Sequence, residues 1–257
     1  MILENKQILI MGIRNKWSIA YGIAKSAYDN GAKLIFTYSG EENKDKIEKL
    51  ITDFKGSKAY ILNDASQDDE VKQTFERIKN ENGKIDGLVH AIAHAFTEDL
   101  HNDFINTGKD GYLHAIDVSS YSFVLAARMA KDLDMLNDNA SLVTLTYHGS
   151  TKVIEGYNIM GVAKAALEAS VKYLAENLGK EGIRVNAVSA GPIKTLSAKG
   201  IKDFSSVLTI VEEKAPLHKN VTQEEVGNVA TFLLSGMASS ITGQVIYADM
   251  GYNIMGV

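Results

Sequence analysis

The sequence predicts an α/β fold, a Rossmann-like doubly wound parallel sheet of about seven strands with helices on both faces, and three observations lead there. Short apolar runs of strand length alternate with segments of helical periodicity along the whole chain. The first run ends at a glycine that opens into a helix. No shift in composition or Pro/Gly-rich linker divides the 257 residues, so 1–257 reads as a single domain. Strands joined through helices pair in parallel by right-handed crossovers, which covers the sheet on both sides.

The elements follow in order. Residues 7–11 form the first apolar run and Gly12 ends it. A helical pattern begins at Ser18, a good N-cap, and carries Ile19, Ala20, Ile23, Ala24 and Ala27 on one side until Gly31 closes it. Residues 33–38 make a second strand, 41–54 a charged helix, 59–62 a third strand, 67–82 a helix and 86–92 a fourth strand. After a polar loop come a long helix over 112–136 and a strand over 141–146. A helix follows from Tyr157, then a strand over 184–188, a last helix over 222–235 and a strand over 244–247.

Composition narrows the class. Glycine is plentiful (21) and proline scarce (2), and 45% of residues are hydrophobic, which suits a globular chain whose turns use Gly, Asn and Asp. With no cysteine there are no disulfides, thiolate metal sites or cysteine nucleophiles, and a reducing, cytoplasmic setting is expected. No apolar run reaches membrane-spanning length, and the first residues lack the apolar core of a secretion signal. A net charge of −5 without a Lys/Arg run speaks against general nucleic-acid binding. His90 and His94 stand four apart with no further ligand cluster, so no metal site is expected.

In this architecture ligands bind beyond the carboxyl ends of the strands, and the first βα turn receives a dinucleotide pyrophosphate at a helix N-terminus. Gly12 and Ser18 stand there, although the stretch from Gly12 to Gly22 has glycines only at its ends rather than the G-x-G-x-x-G spacing. Farther on, Tyr157 and Lys164 are separated by nearly two helical turns and so share one helix face. Tyr21 and Lys25 form a similar pair, which we read as structural. The six residues from Tyr157 to Val162, YNIMGV, recur at the end of the chain from Tyr252 without a following lysine; we assign that copy no chemistry.

With the glycine turn, Asp64 after the third strand, Tyr147, Tyr157 and Lys164 in this order, the chain resembles the short-chain dehydrogenase/reductase superfamily. The Tyr-x6-Lys spacing, with a second tyrosine ten residues upstream, is similar to bacterial enoyl-[acyl-carrier-protein] reductases of the triclosan-sensitive type. The likeness extends over Gly12-x5-Ser18-Ile19-Ala20-Tyr21-Gly22, His90-Ala91-Ile92-Ala93, Ser119-Ser120-Tyr121-Ser122, Tyr157-Asn158-x-Met160-Gly161 and Ser189-Ala190-Gly191-Pro192-Ile193-x-Thr195-Leu196.

That resemblance implies NADH-dependent reduction of the trans-2 double bond of an enoyl thioester on acyl carrier protein, in fatty acid elongation, by a homotetramer. Hydride reaching the β carbon drives negative charge onto the thioester oxygen, and Tyr157 would donate to that enolate. Lys164, about 10 Å farther along the helix axis, would reach the nicotinamide ribose, favour the enolate by its charge and lower the phenol pKa. Tyr147 would be a second substrate-side tyrosine that assists protonation, shapes the acyl pocket or packs as wall. His148 departs from the aliphatic residue expected there and would alter the pocket mouth or face solvent.

For the cofactor, the resemblance implies Gly12, Ser18, Ile19, Ser39, Asp64, Ala65, Ile92, Ala93, Lys164, Ile193, Thr195 and Leu196. Asp64 and Ala65 would serve the adenine, Ile92 and Ala93 the ribose and nicotinamide side, and Ile193 and Thr195 the carboxamide and pyrophosphate. The stretch from Ser39 to Glu42 offers no arginine to a 2′-phosphate, which favours NADH over NADPH. Ala95, Tyr147, Tyr157, Met160, Ile201 and Phe204 would meet the substrate, the last two from a lid around 194–214. Two rivals remain open: a superfamily reductase acting on a ketone or alcohol, and a nucleotide-sensing protein without turnover.

Overall fold

Alternation along β1 (Gln7–Met11) sorts its side chains between two cores, Ile8 and Ile10 to one and Leu9 and Met11 to the other. The computed structural model describes residues 1–195 and 204–256, and of Phe204 its backbone. After β1 come α1 (Ile19–Asp29), β2 (Lys33–Tyr38), α2 (Lys44–Ile51), β3 (Lys58–Ile61), α3 (Asp68–Asn82) and β4 (Ile85–His90). The second half holds α4 (Thr97–His101), α5 (Lys109–Ile116), α6 (Ser122–Asp132), β5 (Leu136–Thr146), α7 (Asn158–Gly179), β6 (Arg184–Ala190), α8 (Phe204–Lys214), α9 (Gln223–Leu234) and β7 (Val245–Ala248).

The strands form one seven-stranded sheet in the order β3-β2-β1-β4-β5-β6-β7, and every pair is parallel. One core joins the sheet to α1, α2 and α9 through Ile23, Ile47 and Leu233; the other joins it to α3, α6 and α7 through Phe75, Phe123 and Val171. Arg184 is buried at the start of β6, where its guanidinium donates to the carbonyls of Leu233, Ser235 and Ala238 and so satisfies the C-terminal end of α9. At its other end α9 carries a capping box made by Thr222 and Glu225. Among the described residues, no helix is long and apolar enough to cross a membrane.

The expected long helix over 112–136 is corrected in two ways. It starts at Lys109, is interrupted by a π-helical turn at Asp117–Tyr121 and ends at Asp132. Leu136 instead pairs with Ile85 as the first residue of β5. Asp134, at φ 49°, turns the chain while the Met135 N–H bonds back to the Ala130 carbonyl at 2.8 Å, a left-handed stop that acidic side chains tolerate. The loop after β4 also contains α4, and the segment expected to form a lid contains α8.

Candidate active site

Strand order reverses between β1 and β4, because the chain runs outward from β1 to β3 and then returns to β4 on the other side. Helices leave such a switch point on opposite faces, so a crevice opens past the strand ends. Here it is a cleft of about 450 Å³. Gly12 shapes its floor at φ +85°, and a side-chain carbon there would stand 2.8 Å from the Ala91 carbonyl oxygen. Ser18 caps α1 by accepting from the Tyr21 N–H at 3.2 Å and donates to the Asn15 carbonyl at 2.7 Å.

Gly12, Ser18, Ile19, Ser39, Asp64, Ala65, Ile92, Ala93 and Thr195 all line this cleft. Asp64 is held by its own turn, one carboxylate oxygen accepting from the Ser66 N–H and hydroxyl at 2.9 and 2.7 Å. Ile193 lies apart, against a second cavity of about 340 Å³ that Pro192 and Leu208 also line. Leu196 and Ile201, and the side chain of Phe204, lie outside the described residues. Sequence reasoning passed over Asn15, Tyr38, Asn43, Asn63, His94 and His114, which line the cleft together with Arg14. Asn15 was within reach, since it belongs to the Gly12–Ser18 turn; the two histidines, twenty residues apart, meet only through folding.

Beside the cleft, Tyr157 stands just before α7 with 8% of its surface exposed. Its ring meets Tyr147 edge-on, centroids 5.0 Å apart, and Ala95 and Met160 share the same apolar cluster. Lys164 is buried two turns on, and its ammonium donates to the carbonyl of Leu145, a residue of the cleft wall, at 2.8 Å. Glu168, one turn farther, accepts from the hydroxyls of Thr146 and Ser150 at 2.6 Å each.

Burial dominates the electrostatics. It pushes the Lys164 ammonium down to about 8, with the Glu168 carboxylate acting in the opposite direction. It pushes the Tyr147 phenol up to about 12, aided by Tyr252 and Asp249. The Tyr157 phenol is also raised far above the ordinary tyrosine range, by burial first and then by Tyr147 and Glu168. Lys164, expected to lower it, is held against the Leu145 carbonyl two turns away and is not among the groups that move this phenol, so burial sets the direction. At neutral pH Tyr157 carries its proton and is a donor.

His148 is buried rather than facing solvent. Its ring lies between those of Tyr147 and Tyr252, each at 5.4 Å, and neither ring nitrogen has a hydrogen-bond partner among the described residues. The C-terminal YNIMGV thus brings its tyrosine to this wall. His90 sits between Thr144 and Ser122, at 3.1 and 2.8 Å from its two ring nitrogens, and burial, together with Lys164, holds it neutral with a pKa of about 3. Tyr21 and Lys25 turn to Asp53 and Asp29 respectively.

A family model described as enoyl-(acyl carrier protein) reductase matches residues 12–253. Enoyl-[acyl-carrier-protein] reductase [NADH] FabI of Bacillus cereus is 48% identical over 256 residues, 99% of each chain. Enoyl-[acyl-carrier-protein] reductase [NADPH] FabI of Staphylococcus aureus is 48% identical over 252 residues, 98% of each chain. The crystal structure of the Bacillus cereus enoyl-acyl carrier protein reductase with NADP+ and an indole naphthyridinone superimposes with a TM-score of 0.95, at 48% identity, covering 100% of this chain and 99% of that one.

Proposed function

The chain belongs to the enoyl-(acyl carrier protein) reductase family, and from that membership and the cleft beside Tyr157 we propose how its residues carry out the reaction. The protein reduces the trans-2 double bond of enoyl thioesters on acyl carrier protein in fatty acid synthesis, with NADH as the reductant. The observation that carries the catalytic assignment is the protonated, buried Tyr157, edge-on to Tyr147 and set in one apolar cluster with Ala95 and Met160.

The cleft fits a dinucleotide: Gly12, which packs without a side chain against Ala91 and Ile92, makes the tight turn after β1, and the N-terminus of α1 offers backbone N–H groups to an anion. When bound, the nicotinamide supplies hydride to the β carbon. Tyr157 donates its O–H to the thioester oxygen as that atom becomes an enolate, a preorganised interaction that gains strength as the charge develops. Lys164, charged below about pH 8, supplies positive charge at the cleft wall and donors for ribose hydroxyls. Tyr147 buttresses the Tyr157 ring. The apolar cluster around Ala95 and Met160 excludes water and receives the acyl chain.

At the end of β2 the exposed Ser39 is followed by Glu41 and Glu42, and Lys44 leans toward Glu41 at 3.9 Å. Carboxylates here repel a 2′-phosphate, which supports NADH over NADPH. The segment 194–214 acts as a lid, a reading supported by the cavity between Pro192 and α8. A homotetramer is supported by exposed apolar side chains at Tyr112 and Leu113 on α5 and Tyr173 on α7, and light scattering tests it. The deciding experiment follows NADH and NADPH oxidation with crotonyl and longer enoyl thioesters on carrier protein. NADH consumption with enoyl but not β-ketoacyl thioesters is expected; the reverse preference would reject the assignment.

A further inference from the structure

Two histidines that the proposed chemistry leaves unused meet at the mouth of the cofactor cleft. His94 follows β4 and His114 lies on α5; His94 Nδ1 and His114 Nε2 are 2.7 Å apart, and both residues line the cleft with Arg14. The geometry is built rather than incidental. Ser119, in the π-helical turn, accepts from the His94 N–H at 2.9 Å and donates to the His94 carbonyl at 3.1 Å. Phe96 stacks on His114 with centroids 4.3 Å apart and planes at 7°, and presents its edge to His94.

Counting protons on this pair gives a chemical consequence. One N–H must lie between the rings. In the neutral pair one outward nitrogen is then a donor and the other a lone pair, whichever tautomers are chosen. Adding one proton makes both outward nitrogens donors and leaves the bridge intact, whereas a second proton breaks it. Burial first, and then the charges of His114 on α5 and Arg14 on the turn after β1, hold the His94 pKa below the ordinary histidine range. A bound anion removes that penalty, because it pairs with the added charge.

We propose that His94 and His114, with Arg14, form a proton-dependent grip for a phosphate group at the cleft mouth. The inference rests on the cleft being the dinucleotide site. The diphosphate of NADH is the favoured source, since Arg14 belongs to the same turn as Gly12 and Ser18 at the N-terminus of α1. A phosphate of the substrate's carrier arm has the same chemistry.

The test measures the NADH dissociation constant by fluorescence between pH 8 and pH 6 for the wild-type protein, His94→Gln and His114→Gln, with thermal melting to check each fold. A proton taken up on binding tightens the wild type by about 3- to 10-fold over this range beyond any change in either variant, whereas Lys164 contributes equally to all three. In parallel, KM is followed with crotonyl-CoA and with crotonyl-N-acetylcysteamine, which has no phosphate. An extra pH dependence confined to crotonyl-CoA assigns the grip to the substrate phosphate. Equal pH dependence of wild type and both variants in every arm overturns the proposal while leaving the cofactor site intact, and no NADH binding at any pH overturns both.

Discussion

A side-chain carbon on Gly161 would stand 2.7 Å from the carbonyl oxygen of Gly149. Gly149 is confined in turn, since a carbon there would approach Tyr157 Cδ1 to 2.6 Å. The loop after β5 therefore lies directly on the first turn of α7, and no side chain fits four residues after Tyr157. The lysine stands three residues farther on, at a position that faces Leu145 and the cleft wall.

Gly161→Ala should push the loop off α7, costing about 1–3 kcal/mol of stability as overpacking against backbone does, and should misplace the Tyr157 ring. A lower melting temperature together with reduced kcat is expected. The double variant Gly161→Lys with Lys164→Ala should be inactive, and recovery of activity at the shorter spacing would contradict this account.

Tyr157→Phe removes the donor and leaves the ring, so kcat should fall by about 100- to 1000-fold with little change in melting temperature. Tyr147→Phe retains the edge-on contact and should lose far less. Equal losses in the two variants would show that the hydroxyls share the donation.

Lys164 is charged below about pH 8 and neutral above it. The affinity of the free enzyme for NADH should therefore fall as pH rises through that value, and Glu168→Gln, which removes the carboxylate favouring the charge, should move the fall to lower pH. For folding the sign is opposite. Between about 8 and the ordinary value of 10.5 the unfolded chain holds the extra proton, so this residue's burial penalty is relieved as pH rises. Titrations of NADH binding and of urea unfolding across pH 7–10 separate the two.

His90 is neutral in the folded chain to about pH 3, while its unfolded counterpart protonates near 6.5. Its contribution to stability should thus be complete above about pH 6.5 and decline by up to about 1.4 kcal/mol for each unit below that, until about pH 3. His90→Gln should flatten the acid limb of a urea-unfolding profile, and an unchanged slope would exclude His90 as its source.

His148 has two buried ring nitrogens without a partner among the described residues. His148→Leu removes an unsatisfied polar group at similar volume and should raise stability by about 1 kcal/mol, a few degrees in melting temperature. A marked loss instead would mean that the nitrogens are satisfied in the working enzyme.

Most strands and helices were readable because burial on both sheet faces leaves periodic apolar runs. The π-helical turn at Asp117–Tyr121 left no such trace, because helical spacing continues through it while only the hydrogen-bond step changes. The end of α6 was misread because Leu133, Met135 and Leu136 continue an apolar pattern, and the left-handed turn at Asp134 is carried by one backbone angle.

At the site, residues close in sequence to a strand end were legible, and their placement in the cleft follows from the order of elements. Tyr157 and Lys164 share a face of α7 by helical geometry alone. Other relationships required the folded chain, because they join residues far apart: His94 with His114 across a loop and a helix, and Tyr252 with His148 from the far end of the chain. The direction of the Tyr157 pKa belongs with them. Spacing says which charge is near a phenol, but the tertiary packing of Tyr147, Ala95 and Met160 decides how much water remains, and here the loss of water prevails.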